Sequence, residues 1–283
     1  MLQIKAQDAI ILEGAISVLA ALSAKEPRIL KIIMKKGANS HGTPKILLDA
    51  RAKNIETVIF SPEEMAEFEK SINSTGFFSL GGSHGGILAI AKKRTFLSPE
   101  ELILALPKNQ KYLSIAIIEG IEDPYNLGYA ARALYTQGTD ALVLPKRDFG
   151  FSEATIEKAS TGTFSKLPIA VFSSNKRELL ELLKGEGFRI YCMDKKAPAG
   201  SSLKASDIFE VKFFERSVFV IGGELRGISR DFLLGADEIV TIPYAKPYAY
   251  SLAAQSAATI VSYEIHRQRR ENARSTGSNG SKI

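Results

Sequence analysis

Residues Ser217–Tyr244 read SVFVIGGELRGISRDFLLGADEIVTIPY, and this stretch decides the fold class. Val218–Ile221 is an apolar run rich in β-branched residues, the signature of a buried strand. Gly222 and Gly223 break it, and Glu224 follows at once. Gly227 closes a five-residue loop, and Ile228–Leu234 has the pattern of a short helix with Ser229 as its N-cap. Glu238–Pro243 is a second strand, stopped by Pro243. Strand, glycine loop, short helix and strand is the layout in which backbone groups face a ligand at the strand's C-terminal end. A tight turn in an α/β protein, with no ligand, satisfies the same residues.

The rhythm extends outward. Apolar runs at 113–118, 141–144, 167–172, 188–191, 218–221 and 239–242 alternate with helix candidates, which predicts βαβ units and a mostly parallel sheet. A last helix is expected over Tyr250–Arg270, small and apolar at its start and basic at its end, with a disordered tail over 272–283. Toward the N-terminus, Ile10, Ile11, Ala15, Val18, Leu19 and Leu22 repeat at helical spacing, predicting a helix over 9–24 that Pro27 ends. A strand is expected over Arg28–Met34, a helix over His41–Lys53 and a strand over Glu56–Phe60. Ser61-Pro62-Glu63-Glu64 is a strong helix start, with a capping serine, proline at N1 and acids in the first turn. A glycine-rich turn, Gly81–Gly86, leads into a strand over Ile87–Ala91 and then Lys92-Lys93-Arg94. Ser98-Pro99-Glu100-Glu101 starts another helix, and Pro107-Lys108-Asn109 breaks it. We therefore expect a small α/β domain over 1–106 and a larger parallel-sheet domain over 107–271.

The chain has 283 residues, 45% hydrophobic and 24% charged, the composition of a soluble globular protein. No apolar run approaches the roughly 18 residues of a membrane span. The apolar N-terminus is interrupted by Asp8 and Glu13 and has no basic leader, so no signal peptide is expected. One cysteine, Cys192, and three histidines make a disulfide or a zinc centre improbable and fit a reducing cytoplasm. The net charge of +6 permits a polyanionic partner. With no tryptophan and no RNP-like motif, phosphate and shape contacts are expected rather than a stacking platform. Dinucleotide, Walker, nucleophile-elbow and HExxH motifs are absent.

Two further segments carry candidate chemistry. Glu119–Arg132 runs from a strand end through a turn into a helix that Asp123 or Asn126 caps, with Arg132 set in an otherwise apolar helical stretch. A guanidinium there needs a partner or a path to solvent. Tyr250-Ser251-Leu252 opens the last helix, after a loop that carries Tyr244, Lys246 and Tyr248. These residues alone do not name a reaction.

In this order, the three segments resemble the motifs of the SpoU/TrmH family of RNA 2′-O-ribose methyltransferases, in the SPOUT superfamily. The first motif is Asn126-Leu127-Gly128 with Arg132. The second is Gly222-Gly223-Glu224-Leu225-Arg226-Gly227, followed by Asp237–Pro243. The third is Ser251-Leu252 on a helix carrying Glu264. Residues 144–170 look like the family's link between its first two strands, and His84–Ala89 resembles the end of its small substrate-binding domain. The third motif usually continues with asparagine, where this chain has Ala253. Gly223 stands where many members have Ser, Ala or Asn, at a position that contributes mainly backbone.

The resemblance implies a C-terminal domain whose end is tucked through a loop as a deep trefoil knot. It implies S-adenosylmethionine as cofactor, held by Gly222, Ile242 and Leu252. It also implies Arg132, Asn126, Glu224 and Ser251 as the catalytic group, and a homodimer formed through the knot. Arg132 is expected first as a phosphate clamp and second as a base, with Glu224 orienting it or the ribose. Structured RNA, rRNA more than tRNA, is the expected substrate, gripped by the N-terminal domain with Lys92, Lys93 and Arg94. No metal and no membrane is expected to take part, and the cytoplasm is the expected location. A knotted RNA-binding protein without catalysis is the alternative that Ala253 leaves open.

Overall fold

The computed structural model describes residues 8–24, 28–74, 80, 84–147, 153–173, 175–200, 202–223 and 226–275. The chain forms two compact units. The first comprises Met1–Thr95, Leu127–Arg132 and Arg147–Lys166; the second comprises Phe96–Asn126, Ala133–Lys146 and Leu167–Ile283.

The first unit is built on a four-stranded sheet of order β1-β4-β2-β3, from β1 (Ala9–Glu13), β2 (Ile29–Lys35), β3 (Glu56–Phe60) and β4 (Ile87–Lys92). β4 runs antiparallel to both β1 and β2, while β2 and β3 are parallel. Side chains alternate across it as strand geometry demands. Ile10, Leu12, Ile32, Met34, Ile87 and Ala89 join one core with residues of α1 (Gly14–Ser23) and α2 (Thr43–Ala52). Ile11, Ile33 and Leu88 join another with Met65 and Ile72 of α3 (Pro62–Ser74). The expected helix over 9–24 is thus a strand followed by a helix. Ala9–Glu13 pairs in register with Leu88–Lys92, and Gly14, at φ 82°, turns the chain into α1. Tertiary pairing overrides a short apolar run whose period suits either element. Pro27, expected to end that helix, and the expected turn residues 81–83 lie outside the described residues. Ser61 behaves as read, its hydroxyl accepting from the Glu64 amide and the Glu64 carboxylate accepting from the Ser61 amide.

A buried charge cluster fastens a distant stretch of chain into this unit. Arg28, 14% exposed at its side chain, pairs with Glu153 and with Glu157, the latter only 1% exposed. Both carboxylates lie on α6 (Glu153–Ala159). Arg28 also donates to the Ser165 hydroxyl, and Glu153 accepts from the Arg94 amide. The Arg94 guanidinium donates to the Phe164 carbonyl and lies 5.2 Å from the centroid of that ring. Burial draws the Arg94 pKa down to about 10 and pushes that of Glu157 up, against the pull of Ser165 and Arg28. This corrects the expectation that Arg94 grips RNA: its head group is committed inside the protein, whereas Lys92 is exposed.

The second unit carries a seven-stranded sheet of order β7-β6-β5-β10-β8-β11-β9. Its strands are β5 (Leu113–Ile118), β6 (Ala141–Pro145), β7 (Ile169–Phe172), β8 (Arg189–Met193), β9 (Ala205–Asp207), β10 (Arg216–Ile221) and β11 (Glu238–Thr241). Every pairing is parallel, as the alternating runs predict. β9 has no apolar run, and the sequence pattern missed it. Ile115, Ile117, Val218, Val220, Ile190 and Cys192 pack in one core with α4 (Pro99–Ala105), α7 (Lys176–Gly185) and α8 (Arg230–Gly235). Burial pushes the Cys192 thiol well above its usual range.

The last helix, α9, runs Ala254–Ser275 rather than Tyr250–Arg270, so Ser251–Ala253 precede it and its end occupies part of the expected tail. The remainder of that tail, 276–283, lies outside the described residues. The helix persists because its polar end is held: Gln268 donates to the Val211 carbonyl and accepts from the Phe213 amide, and Arg267 pairs with the buried Glu264. Among the described residues no helix is long and apolar enough to cross a membrane.

Replacing Arg28 with methionine removes the ion pair from two buried carboxylates. We expect Arg28→Met to lower unfolding free energy by about 3–5 kcal/mol, read as a lower urea midpoint, whereas Lys92→Met at the exposed neighbour leaves the midpoint nearly unchanged.

Candidate active site

The glycine loop after β10 is shaped by close backbone packing. The Gly227 amide donates to the Gly223 carbonyl at 3.0 Å, and these residues form an isolated antiparallel bridge. Glu224 and Leu225, between them in sequence, lie outside the described residues. A Cβ on Gly222 would sit 2.2 Å from the carbonyl carbon of Gly227, and one on Gly223 would sit 2.6 Å from the Gly120 carbonyl oxygen. Gly223 therefore does more than contribute backbone. It and Gly120 let the ends of β5 and β10 touch, where any side chain would force them apart. Gly227 adds the left-handed conformation, φ 63°, that turns the loop toward α8.

A pocket opens at the C-terminal ends of three neighbouring parallel strands, β10, β8 and β11. Gly222 and Gly223 form one wall, Asp194 and Lys195 another, and Thr241, Ile242 and Tyr244 a third. Ser251, Leu252, Ala254 and Ala257 close it from the start of α9. Four of the expected site residues, Gly222, Ile242, Ser251 and Leu252, thus come together from three segments well separated in sequence. The loop before α9 is tied down by Tyr244 and by Lys195, which the sequence reading did not single out. The Lys195 ammonium donates to the Tyr250 carbonyl at 2.7 Å and lies 4.7 Å from the Tyr244 ring centroid. The Leu252 amide donates to the Tyr244 hydroxyl at 2.8 Å. Lys195 carried no motif signal, because its role depends on β8 lying beside β11.

Asn126 lines a second cavity, with Glu119, Asp123, Lys176, Arg226 and Ser229 among its walls. Gly223 and Gly227 border both cavities. Asn126 lies in the first turn of α5 (Pro124–Thr136), and its amide is capped at 2.8 Å by the carboxylate of Asp123, which decides between the two cap candidates. Arg132 is on the same helix, exposed, and grouped with the first unit; it is not among the lining residues of either cavity. Ser229 precedes α8 at the cap position, as read, but its hydroxyl makes no capping hydrogen bond. Its amide donates instead to Glu119 at 2.8 Å. Among the described residues no cluster of potential ligands could hold a metal ion.

The pocket's chemistry suits a nucleoside-like ligand: apolar walls from Ile228, Leu252, Ala254 and Ala257, and polar backbone at Gly222 and Ile242. At Gly222 the place of a Cβ is taken by the backbone of Gly227 and Ile228. The family model described as the SpoU rRNA Methylase family matches residues 114–263. That span is more than half of the chain. The protein belongs to the SpoU rRNA methylase family. A Staphylococcus epidermidis protein assigned to the TrmH family of tRNA/rRNA methyltransferases is 28% identical over 246 residues, covering 86% of this chain and 90% of the relative. The fold matches the SpoU methyltransferase AviRb from Streptomyces viridochromogenes, solved with its cofactor AdoMet, at a TM-score of 0.69 and 18% identity. That match covers 93% of this chain and 92% of AviRb. It also matches a crystal structure of an RNA 2′-O ribose methyltransferase at a TM-score of 0.67 and 20% identity, covering 93% of this chain and 90% of the other. The SpoU match spans the first two sequence motifs, Ser251-Leu252 of the third, and both cavities.

Overpacking of close backbone contacts costs about 1–3 kcal/mol. Gly223→Ala is expected to lower the thermal midpoint clearly, because the added methyl meets the Gly120 backbone and not a flexible side chain. Gly185→Ala, where the new methyl meets nothing within 4 Å, serves as the comparison in the same melting experiment.

Proposed function

We propose that this chain is an S-adenosylmethionine-dependent methyltransferase that modifies a ribose 2′-OH in structured RNA, rRNA in preference to tRNA. The observation that carries the reading is the convergence of Gly222, Ile242, Ser251 and Leu252 on one pocket at the strand ends. Family membership supports the reaction class, and the two-unit layout of the chain supports rRNA as substrate.

Gly222 and Ile242 would hold the donor through backbone groups, and Leu252 would lie against its purine ring. Bound there, S-adenosylmethionine supplies an electrophilic methyl group on a sulfonium. The residues of this chain then have to fix the acceptor oxygen in line with that methyl and handle the proton it gives up, so positioning supplies much of the rate. We assign Arg132 to the RNA phosphate and to developing charge, since a guanidinium does not release its proton in proteins. Asn126 hydrogen-bonds the nucleotide or Arg132, Glu224 orients Arg132 or the ribose, and Ser251 completes the group.

The same reading holds that the C-terminal domain, 107–271, carries a trefoil knot and pairs with a second copy through it; exposed Ile260 and Tyr263 on α9 fit such a contact. It also holds that the N-terminal domain, 1–106, grips RNA with exposed Lys92 and with Lys93, in the cytoplasm. A knotted RNA-binding protein without turnover is the second reading, favoured by Ala253 in place of the motif asparagine.

Labelled methyl donor with total rRNA and tRNA, followed by 2′-O-methyl mapping, tests the proposal directly. Arg132→Ala should lower kcat/KM by at least about a hundredfold, the scale of losing a transition-state charge contact, while donor affinity stays within about twofold. Near-normal turnover in that variant sinks the assignment of Arg132. RNA affinity should fall steeply as salt rises, since each neutralised phosphate releases counterions; a flat salt response would remove the basic grip.

A further inference from the structure

The donor pocket's floor rests on a side chain that does not line the pocket. Glu119 follows the last residue of β5, and its amide donates to the carbonyl of Ile221, the last residue of β10, at 2.9 Å, carrying the pairing one residue past the end of β5. Its carboxylate is only 13% exposed. One oxygen accepts from the Ser229 amide at 2.8 Å, and the other pairs with the Lys176 ammonium. Lys176 opens α7, and its ammonium lies 5.8 Å from the ring centroid of Phe232, a fully buried residue of α8. Three elements therefore meet on one carboxylate.

What that carboxylate controls is the return path of the glycine loop. Ser229 is two residues beyond Gly227, and the backbone at Gly227 and Ile228 is the surface against which Gly222 packs, within 2.5 Å of where a Cβ would stand. Moving Ser229 moves that surface, and Gly222 with it. The bridge between Gly223 and Gly227 fixes the loop's base but not its direction relative to the sheet. Ser229's own hydroxyl has no hydrogen-bond partner among the described residues, so it does not supply the anchor. A buried amide left unpaired is costly, which makes the Glu119 contact directional as well as attractive.

We propose that Glu119, locked by Lys176, is a positioning residue for the methyl-donor site: it holds the Ser229 amide and thereby aligns the 227–229 backbone under Gly222. This rests on reading the pocket as the methyl-donor site. Without the anchor the loop samples other directions, and the donor binds only the aligned fraction, so apparent affinity falls by that fraction. Saturating donor restores alignment, so kcat recovers.

The test uses the full chain, with S-adenosylmethionine as the calorimetric titrant and steady-state methylation as the second readout. Glu119→Ala should raise the donor Kd about tenfold, the scale of one hydrogen bond to a charged group, with kcat at saturating donor within about twofold and the KM for RNA unchanged. Glu119→Gln keeps an oxygen for the Ser229 amide and should recover most of that affinity. Lys176→Met, which leaves the carboxylate in place but unlocked, should fall between them. The inference is overturned if Glu119→Ala binds donor like the unaltered chain, if glutamine rescues no better than alanine, or if kcat at saturation falls while Kd holds. Failure of the unaltered chain to bind S-adenosylmethionine at all would instead remove the donor-site reading, and this inference with it.

Discussion

Everything in the second unit that resembles an active site depends on backbone segments approaching closer than side chains allow. At Gly120 and Gly223 the ends of β5 and β10 touch, and at Gly222 and Gly227 the loop folds onto its own base. Gly223 and Gly227 border both cavities. Parallel strands bring their C-terminal ends to one edge of the sheet, where such loops cluster. Glycine converts that general tendency into a specific pocket, at an entropic cost that the long buried strands β5 and β10 offset.

Charge is used in the two units for different ends. In the first, Arg28 and Arg94 are spent on Glu153, Glu157 and a backbone carbonyl, away from solvent. Pairs of this kind give geometry more than net stability, because desolvation consumes most of the attraction. In the second, Lys195 and Glu119 reach backbone groups at the rims of cavities. They set where loops lie, while Gly222, Ile242 and Leu252 line the pocket itself.

Much of the fold was legible because strand patterns are local. The runs at 113–118 and 218–221 are β-branched and fully buried, so period and burial agree. The segment over 9–24 misled because AIILE satisfies a helical and an extended period equally, and only pairing with β4 decides between them. β9 was invisible, as Ala205–Asp207 earns its place by lying beside β11 rather than by composition. For the site, the motif order pointed to Gly222, Ile242, Ser251 and Leu252, which the fold does gather. Glu119, Lys176 and Lys195 could not be found that way. Each acts on a backbone group 50 or more residues distant, or on a neighbour set by strand order. Arg94 shows the reverse error: a Lys-Lys-Arg run reads as a solvated patch, and one member turned inward.

The placement of α6 has a consequence for how the protein comes into being. The carboxylates that neutralise Arg28 and surround Arg94 are contributed by residues 153 and 157, and the first unit also includes Leu127–Arg132. The N-terminal sheet is therefore complete in hydrogen bonding long before its buried cations have counterions. On a ribosome, it must wait for about sixty further residues, including β5 and β6, to emerge before it can close over them. A fragment cut at the apparent linker near residue 106 would carry two orphaned guanidiniums into water or into aggregation. The module that sequence boundaries suggest can be lifted out and grafted is, in its charge balance, a discontinuous one.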